Sequence, residues 1–179
     1  TVMGQTAKLA MRNPADVLAV VETDGKIFTS AGPAAGRWPA GTKVDIPGGT
    51  QPAFQSVAVL PAGAFRVTGA RLMFGDRPIG TLVAGTSLDA NYAQELSNLS
   101  TAGVVITVND SVVARTVPEE VARDLVASHA SAGTVTLNNE EYAIRPMLFS
   151  GPARIFMLTS VDAAARAATR DALFALATI

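Results

Sequence analysis

The most constraining feature of this sequence is an internal repeat. The five residues at 86–90, TSLDA, return as TSVDA at 159–163, and each copy follows a turn and an apolar stretch. The segments further upstream agree as well, with LMFG at 72–75 and MLFSG at 147–151. An order of turn, apolar strand and helix that occurs twice predicts two similar modules, each of which closes with a strand and a helix.

The two modules also open in the same way. Each begins with an apolar run, a short turn and a partner strand, which is the pattern of a β-hairpin. Three more strands are predicted in each module, so that the strands lie at 16–22, 27–30, 54–60, 65–74 and 79–85 in the first and at 104–108, 112–115, 134–137, 142–148 and 154–159 in the second. Because most connections are short turns, we expect mostly antiparallel sheets and a fold of the α+β class.

Helices are predicted before, between and after these sheets. A short N-terminal helix covers residues 1–12, and Asp89 caps a helix that begins at residue 90. The TVPE segment at 116–119 matches a capping box at the start of the next helix. In the second copy of the repeat, Asp162 is predicted to cap the final helix.

Composition excludes several classes of function. The formal net charge is -1, whereas a nucleic-acid-binding surface needs a basic excess. Cysteine is absent and His129 is the single histidine, which leaves little material for a metal site or a catalytic triad. The acidic pairs at 119–120 and 140–141 are assigned to a first helical turn and a hairpin rather than to a shared pocket. We therefore predict no catalytic residue, no cofactor and no metal, and we expect this fragment not to be an enzyme.

Three phrases carry a resemblance to a known family. They are VVETDGKIFTS at 20–30, RPIGTLVAGTSLD at 77–89 and NDSVVARTVP at 109–118. In this order they resemble the double Cache sensor, a tandem of PAS-like modules. The resemblance implies a first, membrane-distal module at 1–89 and a connecting helix at 90–100. It implies a second, membrane-proximal module at 101–162 and an exit helix at 163–179 that leads toward a transmembrane segment.

The same resemblance implies a function. Double Cache modules form the periplasmic part of bacterial transmembrane receptors such as histidine kinases, diguanylate cyclases and chemoreceptors. A small-molecule ligand in the first module, a homodimer through the terminal helices and attachment to the membrane outside this chain are expected on that basis. The apolar stretch at 174–179 has two interpretations, the start of a membrane helix or a helix packed on its own domain or on a dimer partner.

Strand parity selects the first candidate site. Phe65 and Arg71 lie six positions apart in a predicted strand. Because side chains alternate between the two faces of a strand, both point to the same face. An arginine on an apolar face is costly unless it is paired, and the carboxylate of an organic anion is one partner. The alternative is that Arg71 pairs with an internal acid or emerges at the end of the strand.

Three other residues complete the predicted ligand-binding set. Arg37 and Trp38 lie in the irregular segment at 31–53, a length typical of lids and binding loops, and could close over a bound anion. The alternative is that Trp38 anchors this loop to the sheet. Tyr142 is the candidate of the second module, which offers fewer inward polar groups and is expected to be more structural. Two other functions remain open, a ligand-free structural or dimerisation module and a small hydrolase.

Overall fold

The computed structural model describes residues 4–6, 15–47, 53–130, 132–148, 151–163 and 165, and these belong to two compact units. Unit 1 comprises Thr1–Leu88 with Phe149–Pro152, and unit 2 comprises Asp89–Leu148 with Ala153–Ile179. Each unit holds a five-stranded antiparallel sheet, which confirms the predicted α+β class. Of the N-terminal helix predicted over 1–12, residues 4–6 are helical; the remainder, and the exit helix beyond 165, lie outside the described residues.

Unit 1 is built from five strands and a loop that contains one turn of 3₁₀ helix. The strands are β1 (Val17–Val21), β2 (Ile27–Ala31), β3 (Ala53–Leu60), β4 (Gly63–Phe74) and β5 (Arg77–Ser87), and the 3₁₀ turn is Ala35–Arg37. Their order in the sheet is β2-β1-β5-β4-β3. β5 begins two residues earlier than predicted, so the turn between β4 and β5 consists of Gly75 and Asp76 alone.

Unit 2 repeats this arrangement. It contains α1 (Ala90–Ser100), β6 (Gly103–Val108), β7 (Ser111–Arg115), α2 (Glu119–Ser128), β8 (Gly133–Leu137), β9 (Glu140–Leu148) and β10 (Ala153–Ser160). The sheet order β7-β6-β10-β9-β8 is that of unit 1 with each strand number raised by five. The internal repeat read from the sequence is therefore a repeat of topology.

Tight turns hold the hairpins of unit 2 in register. Asn138 and Asn139 have φ angles of 48° and 62°, and Asn109 and Asp110 have φ angles of 50° and 59°. Two consecutive residues with positive φ form the turn whose twist matches that of paired strands, and Asn and Asp tolerate this conformation better than most residues. The strands predicted at 134–137 and 142–148 therefore pair across a two-residue turn of Asn138 and Asn139.

The predicted cap of α1 is confirmed, whereas the predicted capping box of α2 is wrong. Asp89 Oδ1 accepts hydrogen bonds from the backbone N–H groups of Asn91 (3.1 Å) and Tyr92 (3.2 Å). Thr116 does not cap α2, because its Oγ1 accepts instead from the backbone N–H of Val104 at 2.8 Å. The helix begins only after Pro118, which provides no side-chain cap.

The predicted cap of the final helix is also wrong. A helical turn begins at residue 161, directly after β10, so the residue in the capping position is Ser160 rather than Asp162. Ser160 Oγ accepts from the backbone N–H of Ala163 at 2.9 Å, and Asp162 Oδ2 accepts from the backbone N–H of Glu141 at 3.1 Å. The two copies of the repeated pentapeptide therefore cap with different residues, because helix begins two residues earlier in the second copy.

Each sheet has one face covered by apolar side chains. In unit 1 the covering residues come from the sheet and from the loop, and they include Val17, Val21, Ile27, Trp38, Phe65, Val67 and Val83. In unit 2 helix α2 packs on the sheet through Val121, Ala122 and Leu125, which contact a cluster that includes Val105, Phe156 and Leu158. Within the described ranges no helix combines the length and the apolar character needed to cross a bilayer.

Candidate ligand-binding site

A cavity of about 250 Å³ opens in unit 1 where the β1–β2 turn faces the far half of the β4–β5 hairpin. Arg71 lines this cavity and is half-buried. The remaining lining residues are Glu22, Thr23, Gly25, Ile46, Pro47, Phe54, Pro78, Gly80 and Thr81. Small-molecule sites usually measure ~300–1,000 Å³, so the space suits a ligand of few atoms.

Strand register places Arg71 at the cavity. The pairing of β4 with β5 runs without interruption from Phe65 opposite Ser87 to Arg71 opposite Thr81, and the register shifts only after Leu72. Arg71 therefore shares the face of β4 on which Phe65 is buried. The predicted parity of these two residues is confirmed, and Arg66 on the opposite face is exposed.

Two glycines, Gly69 and Gly80, allow close contacts near the cavity because they have no Cβ. The first contact is with an aromatic ring and the second is with a backbone carbonyl. The ring of Phe54 lies where a side chain of Gly69 would be, since a Cβ on Gly69 would come within 2.3 Å of that ring. A Cβ on Gly80 would come within 2.7 Å of the carbonyl oxygen of Val21. Phe54 is thereby held next to Arg71 on the wall of the same cavity.

The charged side chains of the lining have opposite signs. Arg71 is half-buried, whereas Glu22 is exposed at the start of the β1–β2 turn. Asp24 and Lys26 form an ion pair of 3.0 Å in the same turn. The backbone and side-chain hydrogen bonds from Lys26 lower the pKa of Asp24, and the hydrogen bond to Asp24 raises the pKa of Lys26. Both groups are exposed, so this pair shapes the turn and adds little to stability.

Arg37 and Trp38 lie against Phe65. Trp38 is fully buried, and its ring meets that of Phe65 at 5.4 Å with an interplanar angle of 77°. Arg37 places its guanidinium carbon 4.5 Å from the centre of the Phe65 ring. Its Nε donates to the carbonyl of Ala62 at 2.9 Å, and its Nη1 donates to Ser87 Oγ at 3.1 Å. This geometry anchors the loop to the sheet, as in the alternative interpretation of Trp38.

The four predicted ligand-binding residues of unit 1 lie in two separate places. Arg71 lines the cavity, whereas Arg37, Trp38 and Phe65 belong to a packed cluster near the other end of β4. Arg71 lies six positions after Phe65 on the strand, a distance of about 20 Å at ~3.4 Å per residue. Phe54 and Ile46, rather than Trp38 and Phe65, are the large apolar residues that line the cavity with Arg71. A ligand-binding role for the five predicted residues stays a prediction.

Tyr142 is part of the core of unit 2. Its hydroxyl donates to Glu140 Oε2 at 2.9 Å, and Ser160 Oγ donates to Glu140 Oε1 at 2.5 Å. Burial of the phenol raises the pKa of Tyr142, and the hydrogen bond with the Glu140 carboxylate raises it further. The Glu140 carboxylate thus links Tyr142 of β9 to Ser160 at the end of β10, and Tyr142 does not line the cavity at Arg71.

A second concave surface, which was not predicted from the sequence, lies between β7 and α2 in unit 2. This groove has a volume of about 510 Å³. It is lined by Asp110, Val112, Arg115, Glu119, Ala122, Arg123, Val126 and Ala127. The sequence signal was present in the valine pair of β7, since Val112 and Val113 are 38% and 44% exposed on a strand at the sheet edge.

Polar residues that resemble catalytic or metal-binding groups have structural roles. Among the described residues, no group of three or more histidine, cysteine and acidic side chains is placed to hold a metal ion. His129 ends α2 in the left-handed conformation, and its Nδ1 lies 2.9 Å from the carbonyl oxygen of Ala127. Glu119 pairs with Arg115 at 3.0 Å.

No protein-family model matches this sequence, and no curated protein matches it. Solved structures do match. The sensor domain of the histidine kinase DctB from Vibrio cholerae aligns with a TM-score of 0.54 at 11% identity, over 88% of this chain and 77% of that one. The periplasmic domain of Vibrio cholerae LuxQ aligns with a TM-score of 0.51 at 13% identity, over 89% of this chain and 78% of that one. The chain has the fold of bacterial sensor domains.

A third match extends this result. An extracellular ligand binding receptor from Desulfohalobium retbaense aligns with a TM-score of 0.55 at 16% identity, over 87% of this chain and 32% of that one. The sensor-domain fold predicted from the resemblance to double Cache modules is therefore confirmed. Within this fold the two units differ in what covers the sheet, since a loop with Trp38 does so in unit 1 and helix α2 does so in unit 2.

Proposed function

We propose that this chain is the periplasmic, ligand-sensing domain of a bacterial signal-transduction receptor. A histidine kinase, a diguanylate cyclase or a chemoreceptor is the class of protein that would carry it. The sensor-domain fold supports this proposal, and so do the names of the matched structures, which include a histidine kinase and a ligand-binding receptor. The observation that carries it is the cavity of about 250 Å³ with a half-buried arginine beside an aromatic ring.

The ligand that this cavity suits best is a small organic anion with one carboxylate. The planar guanidinium of Arg71 can donate two parallel hydrogen bonds to a carboxylate. Phe54 and Ile46 offer apolar surface to the rest of the ligand. A second carboxylate would come near Glu22, which is also in the lining, and like charges repel. The small volume of the cavity, and the presence of one basic and one acidic side chain in its lining, therefore favour a compact monoanion over a larger polyanion.

The proposed output of the domain is the exit helix predicted over 163–179. Ligand binding would favour one of two arrangements of this helix, by no more than the difference in the ligand's affinity for the two. The start of the helix is tied to the sheet of unit 2, since Ser160 both accepts from Ala163 and donates to Glu140. A homodimer through the terminal helices, anchored in the membrane by segments outside this chain, would transmit the shift.

A ligand-free structural or dimerisation module is the second candidate function. The packing of Trp38 and Phe65 favours it, because these two side chains are fully buried and pack against each other in the core of unit 1. In unit 2 helix α2 covers the sheet in a similar way. Such a module would have a dry interior and would respond to no small molecule.

A thermal-shift screen separates the two candidates. At a concentration of one hundred times its Kd, a ligand that binds only the folded state adds about 2.7 kcal/mol of stability. For a protein of this size that corresponds to a rise of roughly 5–10 °C in Tm. We expect such a rise with at least one compact monocarboxylate in a screen of organic acids, amino acids and amines. A flat response across all three classes would favour the structural module.

Arg71→Gln is expected to weaken the binding of any acid found in that screen by about 10- to 100-fold, because a charge-assisted hydrogen bond contributes ~1.5–3 kcal/mol. Isothermal titration calorimetry measures the change. Arg66→Gln is the matched control, since Arg66 lies on the same strand but on its exposed face, and it should alter the Kd by less than about twofold. Equal affinities for the Arg71 variant and the parent would show that the cavity is not the site.

A further inference from the structure

The groove of unit 2 is a second concave surface with the dimensions of a ligand site. Its volume of about 510 Å³ falls within the ~300–1,000 Å³ range of small-molecule sites. None of its lining residues belongs to the cavity at Arg71. A ligand could therefore occupy the groove without contacting any residue that lines the cavity at Arg71.

The floor of the groove is apolar. Helix α2 contributes Ala122, which is buried, and Val126, which is half-buried. Strand β7 contributes Val112, which is 38% exposed. Exposed apolar side chains that line a concave surface mark a binding site more often than scattered ones do. The floor is therefore suited to an aliphatic chain.

The rim of the groove carries one positive charge that its neighbours leave uncompensated. Arg115 and Glu119 neutralise each other through a contact of 3.0 Å, and Arg115 also donates to the carbonyl of Val117 at 3.1 Å. Asp110 pairs with Arg154 at 3.5 Å. The side chain of Arg123, which directly follows the floor residue Ala122 on α2, makes no hydrogen bond or ion pair with any residue that the structure describes.

We propose that this groove binds an amphipathic monoanion, a single carboxylate on an unbranched aliphatic chain. The carboxylate accepts hydrogen bonds from the guanidinium of Arg123, and the chain lies along Val112, Ala122 and Val126. Charge complementarity selects an anion, because the acidic side chains of the lining already have basic partners. The apolar floor selects a ligand with a chain, because a small hydrophilic acid would leave that surface in contact with water.

Titration of the 179-residue chain with octanoate tests this proposal, with octanol and acetate as comparison ligands. We expect saturable binding of octanoate, followed by amide chemical shifts in ¹H–¹⁵N spectra that change in β7 and α2. Octanol lacks the charge and acetate lacks the chain, so each should bind at least about tenfold more weakly. Absence of saturation with octanoate, or shifts confined to unit 1, would overturn the proposal.

Three variants localise the site. Arg123→Gln removes the charge and keeps a good helix former, and it should weaken octanoate binding at least about tenfold. Ala127→Glu places a carboxylate one helical turn from Arg123 on an exposed position, where it competes for the guanidinium, and it should weaken binding to a similar degree. Arg145→Gln alters an exposed arginine of β9 outside the groove and should leave the Kd unchanged. Equal Kd values for the Arg123 and Arg145 variants would contradict the assignment.

Discussion

Replacement of Phe65 by alanine is expected to destabilise unit 1 by about 3–5 kcal/mol, the usual cost of truncating a buried aromatic residue. Phe65 is fully buried, and both the Trp38 ring and the Arg37 guanidinium pack on its ring. The variant would leave a cavity and would remove the surface on which the loop rests. Urea denaturation measures the loss, and the fluorescence of Trp38, the single tryptophan of the chain, reports the contact directly.

Phe74→Ala is the matched control for this prediction. Phe74 lies on the same strand as Phe65, nine positions further on, but 79% of its surface is exposed. Its truncation should change the free energy of unfolding by no more than about 0.5 kcal/mol. If the two variants lost equal stability, the assignment of Phe65 to the core and of Phe74 to the surface would be wrong.

Gly32→Ala is expected to have the second-largest effect, a loss of about 2–5 kcal/mol that combines backbone strain with a steric clash. Gly32 has a φ angle of 111°, which side-chain-bearing residues rarely adopt. A Cβ there would lie 2.7 Å from the carbonyl oxygen of Asp16. That carbonyl cannot move away freely, because it accepts a hydrogen bond from the backbone N–H of Ala34 at 2.8 Å.

Two further glycines separate strain from clash. Gly41 has a φ angle of 81° with no atom near its Cβ position, so Gly41→Ala should show the strain alone, about 1–2 kcal/mol. Gly36 has neither feature, so Gly36→Ala should be neutral or slightly stabilising, by up to ~1 kcal/mol. Chemical denaturation of the three variants should rank them in that order. A Gly32 variant as stable as the Gly36 variant would contradict the close approach to Asp16.

The local elements followed from the sequence because their causes are local. Alternation of apolar residues along β4 predicted which face would carry Phe65 and Arg71, and the unbroken register as far as Arg71 confirmed it. Asn138 and Asn139 form a tight turn between two strands that were predicted, and these residues tolerate the positive φ that such a turn requires. Asp89 predicted a helix start because its carboxylate can accept from the first free amides.

The failures share a physical cause, which is competition between partners distant in sequence. Thr116 matched a capping box, but its hydroxyl oxygen accepts a hydrogen bond from the backbone N–H of Val104 on the neighbouring strand instead. Asp162 occupies the position in the repeated pentapeptide that Asp89 occupies in the first copy. The second helix, however, begins directly after β10 ends at Ser160, so Ser160 is the capping residue. Side-chain patterns show which hydrogen bonds a residue can make. They do not show which of several possible donors lies within hydrogen-bond distance of that residue in the folded chain.

The candidate site shows the same division. The sequence could place Arg71 on the covered face of a strand, because parity is a property of one strand. It could not place Phe54 and Ile46 beside Arg71, or Arg37 and Trp38 beside Phe65, because these neighbours come from separate segments. The groove between β7 and α2 was missed for that reason as well, since Val112 and Arg123 become neighbours only when the helix packs on the sheet.

The sequence by itself determined that the chain is built twice from the same order of strands, because repeated letters carry the same periodicities and turn preferences. The tertiary structure alone decided what covers each sheet and where a cavity or groove remains. In unit 1 the loop folds back so that Trp38 covers Phe65 and leaves the cavity at Arg71, and in unit 2 α2 takes that place. Packing between distant segments decides where space remains, because each segment excludes volume that no local pattern records.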